Sequence, residues 1–186
     1  MLLVSCRQDD LPDSMPTAHE GYVALRFSAD IPAMQEVVTR SVDPDGGGVQ
    51  DMTLFCFDSY GLFTTTVEAK VTPTGNGAGL TGNFEAEVPE NTRTVHFLAN
   101  QNMSEFKEDK FRNKSEAEVM ALLEGSSGRM IYWARFTCDP DNDSKIDAQM
   151  ADKGNTIKMI RNHAQVSIDN PINGWIEVTG FVAYNT

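Results

Sequence analysis

The chain carries three histidines, His19, His96 and His163, as candidate acid–base groups. Histidine catalysis needs a nucleophile within hydrogen-bond reach and a further group that orients the ring. His96 (in TVHFLAN) and His163 (in IRNHAQV) sit among apolar neighbours in strand-like segments and could meet across a sheet. No nucleophile accompanies either one, so both read as surface or rim histidines. The chain has no GxSxG, no HExxH, no Walker loop and no dinucleotide fingerprint. Gly46-Gly47-Gly48 leads into a strand pattern rather than a helix, so it offers no phosphate cradle. The expectation is a protein that is not an enzyme and holds no cofactor.

The segment Asp139-Pro140-Asp141-Asn142-Asp143 places carboxylates at alternate positions, as a calcium loop does at its start. Asp139, Asp141 and Asp143 are therefore the candidate metal ligands. Ser144 stands where such a loop needs its sharp-turn glycine, and Met150 where it needs a bidentate glutamate. The stretch reads as a solvated acidic loop. The three cysteines, Cys6, Cys56 and Cys138, form no metal-ligand spacing. Cys56 lies in an apolar run, where a thiol acts as a small apolar residue. A Cys56–Cys138 disulfide stays open, because pairing cannot be read from spacing.

Cys6 closes Leu3-Val4-Ser5-Cys6, which has the form of a bacterial lipobox. Acylation there would tether the chain to a membrane surface. The charged start and long apolar core of a signal peptide are missing, so a truncated leader is expected. The polar, acidic, proline-containing RQDDLPDSMPTAHE that follows suits a solvated spacer, and residues 1–20 are expected to be a disordered tether.

These candidates need a scaffold. With 186 residues and 40% hydrophobic content the chain supports one domain, residues 21–186, with a real core. A net charge of −12 argues against a nucleic-acid partner. Gly21 to Ala29 alternates, with Val23, Leu25 and Phe27 on one face, as a half-buried strand should. MTLFCF at 52–57 is apolar on both faces, the mark of a strand buried in mid-sheet. Further strands are expected at 62–71, 83–88, 93–100, 129–137, 157–168 and 175–184, with 139–152 a polar excursion. One helix is expected after Ser115, which with Glu118 makes a capping box. Trp133 and Trp175 read as core-closing residues, with a sugar-stacking platform as the other use. Many short strands and one helix point to an all-β sandwich.

With these segments placed, the chain resembles the N-terminal domain of the fimbrillin family, the lipoprotein pilins of type V fimbriae. The resemblance rests on the lipobox, on Thr39-Arg40 before a loose acidic linker, on MTLFCFD closed by Gly61, on VHFLAN at 95–100, on IKMIRNHAQV at 157–166 and on FVAYN at 181–185. It implies a transthyretin-like Greek-key β-sandwich of about seven strands with one short helix. It also implies lipidation at Cys6, a lipid anchor in the outer membrane, and cleavage between Arg40 and Ser41 by an Arg-specific protease. Assembly with other fimbrial subunits would follow by donor-strand exchange, with Val23, Leu25 and Phe27 marking the first strand and its groove. That first strand is expected at a sheet edge beside residues 175–184. Fimbrillins carry a second β-domain, so a missing C-terminal domain is expected here. The other reading is a surface lipoprotein that binds a glycan or host protein through Trp133, Trp175 or the acidic loop.

Overall fold

The computed structural model describes residues 18–31, 49–73, 82–101, 103, 106–123 and 131–161. Nine strands form two sheets among the described residues: β1 (Tyr22–Asp30), β2 (Met52–Phe57), β3 (Phe63–Glu68), β4 (Lys70–Pro73), β5 (Gly82–Pro89), β6 (Thr94–Ala99), β7 (Tyr132–Thr137), β8 (Thr156–Lys158) and β9 (Ile160–Arg161). The first sheet runs β4-β5-β1-β8 and the second β3-β2-β6-β7-β9. Two short helices accompany them, α1 (Glu116–Leu123) and α2 (Ile146–Asp152).

The sheets face each other across one apolar core. Val23, Leu25, Phe27 and Ala29 of β1 meet Phe84, Ala86 and Val88 of β5 on one side, and Met52, Leu54, Val95, Phe97, Tyr132 and Ala134 on the other. The layered arrangement follows from period two: each strand turns alternate side chains to one face, and that face must be covered. β2 differs, since its second face is buried as well. Phe55, Phe57, Phe63 and Leu98 on the outside of the second sheet pack under Phe111, Val119, Leu123 and Ile131. The chain from 106 to 123 is thus a third layer, and the run MTLFCF needed two apolar faces because it lies between two cores.

Three sequence expectations need correction. The stretch expected as one strand at 62–71 is two, β3 and β4, in different sheets. The stretch starting at 157 likewise divides, β8 and β9 lying in different sheets. The crossings are at Ala69 and Met159, whose N–H groups leave the ladder and donate to Met52 O and Asp30 O, each at 2.8 Å. Val67, Ala69 and Val71 all belong to or pack on the same core, as do Ile157 and Met159. A residue facing the space between two sheets faces it from either sheet, so alternation does not register the change. Finally, the polar excursion holds a second helix, α2, which seats Ile146 and Met150 in the main core.

The capping box read from Ser115 and Glu118 is formed. Ser115 N–H and Oγ–H donate to Glu118 Oε2 at 2.9 and 2.7 Å, and Glu118 N–H points to Ser115 Oγ at 3.4 Å. Only Val119 and Leu123 of α1 are buried, so the helix depends on its start more than on a broad apolar face. Ser115→Ala is expected to lower unfolding free energy by roughly 0.5–2 kcal/mol in urea titration, with unchanged strand signal. No loss would mean the cap contributes nothing to holding the third layer.

Candidate functional site

The first strand is the candidate site. In YVALRFSAD the buried positions are Val23, Leu25, Phe27 and Ala29, while Tyr22, Arg26 and Asp30 are exposed. Phe27 is the wedge of the strand: its ring stacks on Phe84 at 5.4 Å and meets Phe97 of the opposite sheet edge-on at 5.0 Å. Along one edge β1 pairs antiparallel with β5 from Tyr22 to Ser28. Arg26 Nε reaches Glu85 Oε1 across that pair at 3.2 Å, and His19 pairs with Glu87 just before the strand begins. Along the other edge β1 pairs parallel with β8, from Ser28 to Asp30. Ser28 N–H donates to Asn155 O at 2.8 Å there, and Ser28 Oγ lies 3.2 Å from Thr156 Oγ1.

This corrects the expectation of an edge strand at the C-terminal end, Ser28–Asp30; along Tyr22–Phe27 the described neighbour is β5 alone. At that C-terminal end β1 lies between two strands, because the chain returns after α2 to lay β8 beside it. Its place is walled by β5 along Tyr22–Ser28 and by β8 at Ser28–Asp30, and Phe97 of the opposite sheet lies over Phe27. The segment 175–184, expected beside β1, lies outside the described residues, as do Cys6, Arg40, Ser41, His163 and Trp175.

His96 is not a surface or rim histidine. It is 3% exposed, because the third layer covers the outer face of the second sheet where β6 carries it. Both its ring nitrogens are engaged. Trp133 Nε1–H donates to Nδ1 at 3.0 Å, and Nε2 lies 2.7 Å from Glu116 Oε1. Arg135 binds both oxygens of that carboxylate, at 2.6 and 3.1 Å. Burial pushes the His96 pKa down, with the Glu116 hydrogen bond partly opposing, while Arg135 holds the Glu116 carboxyl below its usual range. A carboxylate-bound imidazole resembles a catalytic pair, but the nitrogen that would act as base already accepts from an indole. A nucleophile would have to displace Trp133. The sequence held no sign of this group, since Glu116 and Arg135 are brought to His96 by the docking of α1 and the pairing of β6 with β7.

Trp133 is half-buried and packs against the second apolar cluster rather than in the core between the sheets. The acidic loop is held by the protein itself. Gln149 accepts from Asp139 N–H at 2.7 Å and donates to Asn142 O and Ser144 O at 3.0 and 2.9 Å. Asp139 Oδ1 accepts from Asp141 N–H at 3.0 Å. Among the described residues no three His, Cys, Asp or Glu side chains are grouped to hold a metal ion. Cys56 and Cys138 are free thiols, so the open question of their pairing is answered.

The chain matches no protein-family model and no curated protein. Among solved structures it is similar to a fimbrial assembly protein from Parabacteroides distasonis, at 12% identity and a TM-score of 0.31, over 75% of this chain and 54% of that one. The chain thus spans about half the length of that protein. A likeness of this degree decides neither the fold nor the role of the chain.

Burial pushes the Cys56 thiol up to about 12. The thiolate is the reactive form, so iodoacetamide at about pH 8 is expected to leave Cys56 unmodified in the folded protein and to label it in denaturant. Labelling at equal rates in both conditions would contradict its burial between the sheets.

Proposed function

We propose that the chain is a structural subunit or anchor of a cell-surface fimbrium, with a transthyretin-like Greek-key domain that exchanges its first strand. The observation that carries this reading is the placement of β1 between β5 and β8 with its apolar side chains in the main core. The motifs of the sequence support the same role. Cys6 carries the lipid that holds the precursor at the outer membrane. An Arg-specific protease cuts Arg40–Ser41 and severs the covalent link between β1 and the rest of the domain. The strand stays in place until another competes for the slot. Burying Val23, Leu25 or Phe27 is worth roughly 1.5–3 kcal/mol each, and an empty slot would also bare the backbone edges of β5 and β8. A strand from another fimbrial subunit with apolar residues at alternate positions restores both terms, which is β-augmentation along β5.

The alternative, a surface module that binds a glycan or host protein, has less support. Trp133 spends its indole N–H on His96 and packs its ring on the second cluster, so it makes no open stacking platform. A catalytic role has least, given the occupied His96.

Two measurements test the proposal. Metabolic labelling with a palmitate analogue is expected to tag Cys6 and to vanish in Cys6→Ala. Limited trypsinolysis is expected to cut after Arg40 without loss of β-sheet signal. A labelled peptide of alternating apolar residues should then replace residues 22–30 in the cut protein and not in the uncut one. Resistance at Arg40, or a cut protein that never takes up the peptide, would defeat strand exchange for this chain.

A further inference from the structure

The line Trp133–His96–Glu116–Arg135 has a property independent of any assembly role. It accommodates one protonation state of His96. An indole N–H can only donate, so Nδ1, 3.0 Å away, must present its lone pair. Nε2 then carries the ring's single proton and donates to Glu116 Oε1 at 2.7 Å. The ring is neutral. The elements packed on it are few: β2 brings Phe57, whose ring meets His96 at right angles at 5.6 Å, β7 brings Trp133 and Arg135, and α1 brings Glu116. Among the described residues, Glu116 and Arg135 are the charged groups that act on it.

We propose that His96 is a proton-operated catch on Trp133: the neutral ring holds the indole against the second sheet, and a proton taken at Nδ1 releases it. In the imidazolium both nitrogens are donors. The Nε2 side is strengthened, because its bond to Glu116 becomes one between opposite charges. The Nδ1 side fails, because N–H would point at N–H. His96 cannot move away, being 3% exposed under the third layer, whereas Trp133 is half-buried and has solvent on one side. The indole is therefore the part that turns out, while Glu116 and Arg135 keep α1 docked. Acid conditions would uncover an aromatic side chain on the outside of the second sheet without unfolding the domain.

Burial and the Arg135 charge disfavour the imidazolium and Glu116 favours it, with the balance toward the neutral ring. The catch accordingly opens below the ordinary histidine range. His96 takes its proton less readily folded than unfolded, so its contribution to stability is complete above that range and is lost as pH falls through its folded value.

The test is a pH titration of tryptophan fluorescence in Trp175→Phe, where Trp133 is the sole tryptophan of the two in the chain. A red shift and a fall in intensity are expected below pH 6.5, with far-UV circular dichroism unchanged, and both should be absent in His96→Gln. Should either variant fail to fold, the indole N–H signals and the His96 Cε1–H signal of the unmodified chain report the same event by NMR. Trp133→Phe removes a bond that only the neutral ring accepts, so the His96 midpoint should move up; Glu116→Gln should move it down. An indole environment that stays constant while the His96 Cε1–H signal titrates in folded protein would overturn the proposal. So would a His96 midpoint unmoved in Trp133→Phe, or an acid transition that persists in His96→Gln.

Discussion

The fold turns on one side chain. Phe27 stands at the middle of the described core, stacked on Phe84 within its own sheet and edge-on to Phe97 of the other. It is the point at which the two sheets are tied through the first strand. That position fixes what β1 is. A strand at a sheet edge could fray with little effect, but β1 pairs with β5 along Tyr22–Ser28, takes β8 beside its end, and supplies part of the core between the sheets. Its contacts are also noncovalent throughout, consisting of an antiparallel ladder, a short parallel one and a row of buried apolar groups.

The rest of the molecule can be seen as support for that slot. Crossings at Ala69 and Met159 place β3 and β4, and then β8 and β9, in opposite sheets, so the chain passes between the layers there with a single residue between strands. β8 exists as a wall because α2 turns the chain back toward Asp30. The third layer acts on the opposite side. It buries Phe55, Phe57 and Phe63, and grips the second sheet through Glu116 on His96 and Arg135, Lys114 O on Phe63 N–H and Glu108 on Thr65 Oγ1–H. The polar line thus adds to the backbone bonds that hold the start of a short helix with two buried apolar residues. Its cost in burying charge is moderated by the exposure of Arg135.

How much of this could be read beforehand follows from the range of each interaction. Local patterns were legible: alternation at Val23, Leu25 and Phe27, the two apolar faces of MTLFCF, and the Ser115–Glu118 box. What depends on distant partners was not. The place of β1 between β5 and β8 is set by the return of residues 156–158, about which the sequence of β1 holds nothing. Helix α2 buries few residues in a segment dominated by aspartates, and its start lacks a side-chain cap. His96 read as a rim residue since the layer that covers it comes from residues 106–123, and a histidine's neighbours along a strand do not tell what lies over it. Of the candidate site, the strand and its apolar face were legible and the neighbour at its end, β8, was not.

The claim that most needs testing is that β1 is a full member of the sheet rather than an N-terminal arm lying on it. Native-state hydrogen exchange of the uncut chain, read residue by residue, tests it directly. The amides of Leu25 and Phe27 are expected to exchange only through global unfolding, with the same protection free energy and denaturant dependence as those of Leu54 in β2 and Phe97 in β6. Exchange of Leu25 and Phe27 through a local opening well below the global free energy, with β2 and β6 still protected, would contradict the account.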